Sequence, residues 1–182
     1  MDEYGSAPVE NFNAIPVHDR LDNKNWKARV SAYEELAKLF RTSVDDSDFC
    51  QFEGSLKKMA LDSNAVAQES GVSTLIQFVE NAPEPNRTKS SVVPAVVEKC
   101  LSSTRAGTKA KALELILLYV EVDTPDPVIE DVLPGLDAKL PKLVATTTNT
   151  LAAVIRTFGV KNMNIKPLVK KLPPLFGHSD KN

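Results

Sequence analysis

The stretch Tyr33-Glu34-Glu35-Leu36-Ala37-Lys38-Leu39-Phe40 places apolar residues at 33, 36, 37 and 40, and the rest of the chain repeats that spacing. Offsets of 0, 3, 4 and 7 lie on one face of a helix, whereas a strand face recurs at every second residue. The same stripe returns in Val72, Leu75, Ile76, Val79, in Leu113, Ile116, Leu117, Val120 and in Leu151, Val154, Ile155, Phe158, at steps of 39, 41 and 38 residues. A second series interleaves with it. Phe52, Ser55, Leu56, Met59 is its weak first copy, followed by Val93, Val96, Val97, Cys100, by Ile129, Val132, Leu133, Leu136 and by Ile165, Leu168, Val169, Leu172, at steps of 41, 36 and 36. Two helices per period of about 40 residues is the pattern of a HEAT-type solenoid, in which no helix pair buries its stripe without a neighbour. The expected fold class is all-α, a HEAT-repeat solenoid of about four and a half helix pairs.

Composition agrees with one such domain. The 182 residues are 42% apolar and 25% charged, and with 6% aromatics the core must come from Leu, Val, Ile and Ala. With 22 basic against 24 acidic residues the net charge is -2, which disfavours a general nucleic-acid binder, so binding charge has to be local. Cys50 and Cys100 are far apart, as in a reduced cytosolic protein and unlike a disulfide-stapled secreted one. The sequence shows neither a signal peptide nor a run of about 18 apolar residues, so no membrane contact is expected. Residues 1–14 read as a disordered tail and 15–182 as the repeat domain.

The stripes predict alternating A and B helices over 16–23, 26–42, 49–60, 64–80, 90–101, 105–121, 126–138, 141–158 and 165–176. Asp62, Ser63 and Asn64, then Ser102, Ser103 and Thr104, and lastly Ser179 and Asp180 stand where helix N-caps are needed. Gly159 and Gly177 suit helix stops, Pro141 suits a first turn, and Pro173 and Pro174 should kink or end the last helix. The stretch 81–91 is expected to be the longest loop between repeats. The sequence runs out where a further B helix is due, so it reads as C-terminally incomplete, lacking a sixth repeat.

Turns joining A to B helices line one edge of a solenoid. Down that edge stand Trp26, Asn64, Arg105, Lys142 and Lys181, at steps of 38, 41, 37 and 39 residues. The positive end of the helix dipole favours acids in the first turn, with cations there losing roughly 0.3 to 1 kcal/mol each. Lys27, Arg105, Lys142 and Lys181 break that rule together. Solvated surface charge is the plain account of each alone; in register they make a ridge matched to an acidic protein surface. Trp26 suits an end cap of the core, yet it is out of phase with Tyr33 and Leu36 and flanked by Lys24, Asn25 and Lys27, which favours contact with a partner.

Five phrases carry a resemblance. Trp26-Lys27-Ala28-Arg29 with Tyr33-Glu34-Glu35-Leu36, Asp62-Ser63-Asn64-Ala65-Val66-Ala67-Gln68-Glu69, Ser103-Thr104-Arg105-Ala106-Gly107-Thr108-Lys109, Leu140-Pro141-Lys142-Leu143 and Phe176-Gly177-His178-Ser179-Asp180-Lys181-Asn182 resemble the first TOG domain of the fungal microtubule polymerases. The resemblance covers residues 13–182. It implies a flat paddle of HEAT repeats that binds one αβ-tubulin heterodimer through its intra-repeat turns and prefers the curved form. Trp26 and Lys27 would meet β-tubulin, with Ser63, Asn64, Ala65, Val66, Arg105 and Lys109 beside them, and Lys142 and Lys181 would reach toward α-tubulin. It further implies tandem TOG domains in the parent chain that deliver tubulin to growing plus ends, and a place in the cytoplasm on the cytoskeleton, at spindle poles and at kinetochores. Ala65 stands where a bulkier Val is usual, and Lys181 where Arg is frequent.

An enzyme finds little support. His18 and His178 are isolated, there is no metal spacing, phosphate loop or nucleophile elbow, and Cys50 follows an acidic run while Cys100 falls on a core stripe. No cofactor, metal, nucleic acid or catalytic residue is expected. Two other classes stay open: a generic HEAT scaffold for another protein partner, and a HEAT-like DNA glycosylase, whose excess positive charge is missing.

Overall fold

The computed structural model describes residues 11–161 and 163–176. Over these the stripes become helices α1 (Val17–Leu21), α2 (Trp26–Thr42), α3 (Ser47–Cys50), α4 (Glu53–Ala60), α5 (Ala65–Asn81), α6 (Lys89–Lys99), α7 (Ala106–Val122), α8 (Pro125–Val132), α9 (Pro141–Phe158) and α10 (Lys166–Leu175), with no strand among them. The chain is an all-α, HEAT-like stack. One layer holds α2, α5, α7 and α9, each packed on the next; the other holds α4, α6 and α8 in the same order. Each pair, α1 with α2, α4 with α5, α6 with α7 and α8 with α9, joins the layers.

The stripes of α2 to α9 meet between the layers. Leu36, Phe40, Leu56, Met59, Val72, Leu75, Val93, Val96, Leu115 and Ile116 are all buried there, whereas on α10 the expected stripe leaves Ile165, Val169 and Leu172 exposed. At the first end of the stack Phe40 stacks on Phe49 and meets Phe78 edge-on, with ring centroids 5.4 and 5.3 Å apart.

Hydrogen bonds between like helices of successive repeats span 33 to 42 residues, close to one repeat. Arg29 near the start of α2 reaches Asp62 before α5, and Arg41 at the end of α2 donates to Gln77 at the end of α5, 3.0 Å away. The two helices are therefore parallel and in register. Cys100 bonds the Ala60 carbonyl at 3.4 Å and does the same for the ends of α6 and α4.

Asp62 is the tightest of these links. Its side chain is 1% exposed and takes two hydrogen bonds of 2.7 Å from Arg29 and one of 2.9 Å from the Tyr33 hydroxyl. Its other duty is to accept the Asn64 N–H at 2.9 Å. Burial pushes the Asp62 carboxyl up, but Arg29, the Asn64 N–H and Tyr33 together outweigh it and hold the group below the usual carboxylate range. Burial, reinforced by the neighbouring carboxylate, pushes the Tyr33 hydroxyl up.

Several elements differ from expectation. The helix expected over 49–60 is broken at Gln51 and Phe52, a bend that buries Phe49 against Phe40 and Phe78 while Phe52 stacks on His18 at 4.7 Å. The helix expected to reach Ala138 stops at Val132 and continues as a 3-10 segment, Leu133–Asp137, where Pro134 has no N–H for an α-helical bond. The expected loop over 81–91 contains a 3-10 turn, Pro85–Thr88, held by the buried Thr88 hydroxyl 2.7 Å from that of Tyr119. Within the expected tail, Phe12–Ala14 form one 3-10 turn, and residues 1–10 lie outside the described residues. Pro173 and Pro174 sit inside α10 instead of ending it. Gly159 ends α9 with φ 74°, a value that favours glycine; Gly177 lies outside the described residues.

Replacing Arg29 with Ala leaves the buried Asp62 carboxylate unpaired, so a loss of about 3 kcal/mol in urea unfolding is expected. Asp62 binds its proton less readily folded than unfolded. The wild-type advantage over Arg29→Ala is therefore complete above the ordinary carboxylate range near pH ~4 and shrinks as the pH falls through and below it.

Candidate partner-binding ridge

Because the B-layer helices run parallel, their N-termini and the turns before them fall along one edge. Neighbouring turns touch: Arg29 donates to the Asn23 carbonyl of the first turn at 2.8 Å and to Asp62 of the second, and Lys142 approaches the Ser103 carbonyl of the third at 3.3 Å. The turns at Trp26, Asn64, Arg105 and Lys142 thus fall along one edge; the fifth position of that series, Lys181, lies outside the described residues.

At the first turn, the Asn23 side chain accepts the Asn25 N–H at 2.8 Å, and the Asn25 side chain accepts the Lys27 N–H at 3.0 Å. That double turn sets Trp26 at the start of α2, with Lys24 and Lys27 exposed. Trp26 is half-buried and packs against the core. The end-cap account covers the part of the side chain that packs on the core, and the remainder of Trp26 is left exposed.

The second turn caps α5 through Asn64, whose side chain accepts from the Val66 and Ala67 N–H groups at 2.9 and 3.1 Å. Ser63 and Ala65 are exposed, as is Val66 at 42%, an apolar patch on the ridge.

The third turn is less free than a solvated cation would be. Ser103 accepts the Arg105 N–H at 3.2 Å, and the Arg105 Nε donates to Glu69 on α5 at 2.6 Å. Lys111 approaches the other Glu69 oxygen at 3.4 Å. The hydrogen bond from Arg105 is the main reason the Glu69 carboxyl sits below its ordinary range. Lys109 is half-buried one turn on, and Lys142, in the first turn of α9, is exposed. Lys181 lies outside the described residues.

The periodic reading overlooked other members of this edge. Lys57, Lys58 and Lys99 stand in the last turns of α4 and α6, which end at the ridge and where cations suit the helix dipole. Their signal was present as basic residues just before each capping cluster. A longer pattern also escaped notice. From 138 to 176 the sequence has no Asp or Glu but has Lys139, Lys142, Arg156, Lys161, Lys166, Lys170 and Lys171, so the far end of the stack is positive although the whole chain is slightly negative.

Among the described residues no three His, Cys, Asp or Glu side chains gather as a metal set, and no helix is long and apolar enough to cross a membrane. His18 is engaged with Phe52, burial pushes the Cys100 thiol up to about 12, and slight desolvation with Asp46 beside it pushes the Cys50 thiol up.

Residues 11–182 match the family described as XMAP215/Dis1/CLASP, TOG domain. The chain is 40% identical to Protein mini spindles of Drosophila melanogaster over 172 residues, covering 93% of this chain and 8% of that protein. It is 38% identical to Spindle pole body component alp14 of Schizosaccharomyces pombe, covering 95% of this chain and 22% of that protein. The chain therefore spans less than a quarter of either relative. Among solved structures, one that describes tubulin recruitment and assembly by microtubule polymerases with TOG domain arrays superposes with TM-score 0.80 and 34% identity, over 90% of this chain and 36% of that one. Drosophila melanogaster Mini spindles TOG3 shares the fold at TM-score 0.74 and 21% identity, over 91% of this chain and 73% of that one.

Asn64→Ala removes the side-chain cap of α5, so a stability loss of about 1 kcal/mol in thermal or urea unfolding is expected. A loss within error of zero would show that this turn is held by Asp62 alone.

Proposed function

Because this chain belongs to the XMAP215/Dis1/CLASP family of TOG domains, we propose that it is a non-catalytic module that binds the αβ-tubulin heterodimer along its turn ridge. The observation that carries the reading is the ridge: turns braced to one another by Arg29–Asp62, Arg105–Glu69 and Lys142–Ser103, with Trp26 half-exposed at one end and an acid-free, cationic segment at the other. Trp26 is the aromatic anchor and, with Lys27, meets β-tubulin. Ser63, Asn64, Ala65 and Val66 supply a mixed polar and apolar contact in the middle, Arg105 and Lys109 follow, and Lys142 and Lys181 extend toward α-tubulin.

Physical reasons favour this use of the edge. A partner with an acidic surface is steered to a row of cations, and the steering weakens with salt. The first two helices of the row, α2 and α5, are tied at both ends and do not slide freely, so this part of the ridge fits one curvature of a two-subunit partner better than another. Such a module selects curved, unpolymerised tubulin over the straight form. In the parent chain it works beside further TOG domains as part of a polymerase acting at microtubule plus ends, with the spindle pole and the kinetochore as its sites in the cell.

Trp26→Ala is expected to weaken tubulin binding by about 2 kcal/mol, roughly 30-fold, with helical content by circular dichroism unchanged. Unaltered co-elution with free tubulin on a sizing column would reject the anchor role. Charge reversal at Arg105 and Lys142 is expected to weaken binding most at low salt, and a loss of the same size at all salt concentrations would mark misfolding instead.

A further inference from the structure

We propose that Glu69 is a positioning residue of the ridge, holding Arg105 and Lys111 in the orientation in which they receive an acidic side chain of the partner. The inference rests on the tubulin reading above and adds a residue to it. Glu69 is itself an anion on a ridge assigned to an acidic partner, where simple charge counting makes it a defect.

Three features argue that it is built in. Its two oxygens are divided between two cations, Arg105 Nε at 2.6 Å and Lys111 Nζ at 3.4 Å, so the cluster keeps a net positive charge. The bond to Arg105 uses Nε, and a guanidinium held there still has the donors of its two terminal nitrogens for a carboxylate. The backbone makes room for the carboxylate at Gly107, where an added Cβ would lie 2.4 Å from Glu69 Oε1 and 2.9 Å from its Cδ.

The cluster borders an open cleft of about 360 Å³ between the middle of α2 and the N-terminal halves of α5 and α7, lined by Glu34, Ala37, Val66, Ser70, Arg105 and Lys111. Arg105 is 44% exposed there. An arginine that exposed would otherwise lose much rotamer freedom on binding, and tying it beforehand removes part of that cost. A partner carboxylate entering the cleft meets a guanidinium already tethered at Nε, with Val66 as an apolar neighbour.

Charge and position predict opposite results, which makes the test direct. Tubulin binding by the purified chain is measured at low salt for wild type, Glu69→Gln, Gly107→Ala, Arg105→Ala and the Arg105→Ala/Glu69→Gln pair. Positioning predicts about fivefold weaker binding for Glu69→Gln, although the ridge becomes more positive. Gly107→Ala, which keeps every charge and displaces only the carboxylate, should weaken binding likewise while thermal stability holds. The double variant should bind no worse than Arg105→Ala alone. Tighter or unchanged binding by Glu69→Gln or Gly107→Ala overturns the proposal, as does an equal loss from Glu69→Gln with and without Arg105. If the wild type, well folded, fails to shift tubulin, the tubulin reading falls and this role with it. If the wild type binds, Trp26→Ala does not and Glu69→Gln is normal, only the role of Glu69 is lost.

Discussion

Asp62 is a carboxylate nearly removed from water at the point where the first two repeats meet. Such a group is tolerated only when its charge and lone pairs are answered, and here Arg29, Tyr33 and the Asn64 N–H answer them. Arg29 in turn holds the carbonyls of Asn23 and Lys24. One ionic knot therefore fixes the turn before α2 to the turn before α5, and with them the places of Trp26 and Ser63. Apolar packing between layers brings the helices together, but it is non-directional and does not by itself choose the axial offset between neighbours. A buried ion pair with four partners does.

The same device recurs in weaker form along the edge. Glu69 with Arg105 joins the second turn to the third, and Lys142 with the Ser103 carbonyl joins the third to the fourth. Exposed pairs of this kind contribute little to stability. Their consequence is geometric: they orient side chains that would otherwise sample many rotamers, on the surface proposed to meet tubulin. The grading from a nearly dry link at one end to a single long contact at the other, beside a segment without acids, gives the ridge a rigid aromatic end and a looser cationic end.

Much of the architecture was legible because a solenoid is locally encoded. The stripe over Tyr33 to Phe40 and its copies needed only helical periodicity, and the bounds 26–42 and 141–158 match α2 and α9 because Asn25, Pro141 and Gly159 carry their punctuation in the adjacent sequence. Where a side chain was recruited by a distant element, local reading failed. At the bend at Gln51 and Phe52, both Phe49 and Phe52 meet Phe40 on α2, but Phe49 also meets Phe78 on α5 while Phe52 stacks on His18 of α1. The turn at Pro85 to Thr88 exists because Thr88 meets Tyr119 from the next repeat.

For the ridge, the division follows the same line. Sequence alone determined the helical period, the series of turns, and which residue types stand at them, since these depend on spacing within one helix and on local capping chemistry. Tertiary structure decided which charges are spent inside the molecule. Asp62 reads as a cap and Glu69 as an ordinary surface acid until α2 and α7 arrive beside them, from 33 and 36 residues away. Trp26 likewise divides between core and surface only once the end of the stack closes against it. Electrostatic pairing and burial depend on distances across the fold, and those are fixed by packing the repeats together, not by the order of residues within any one of them.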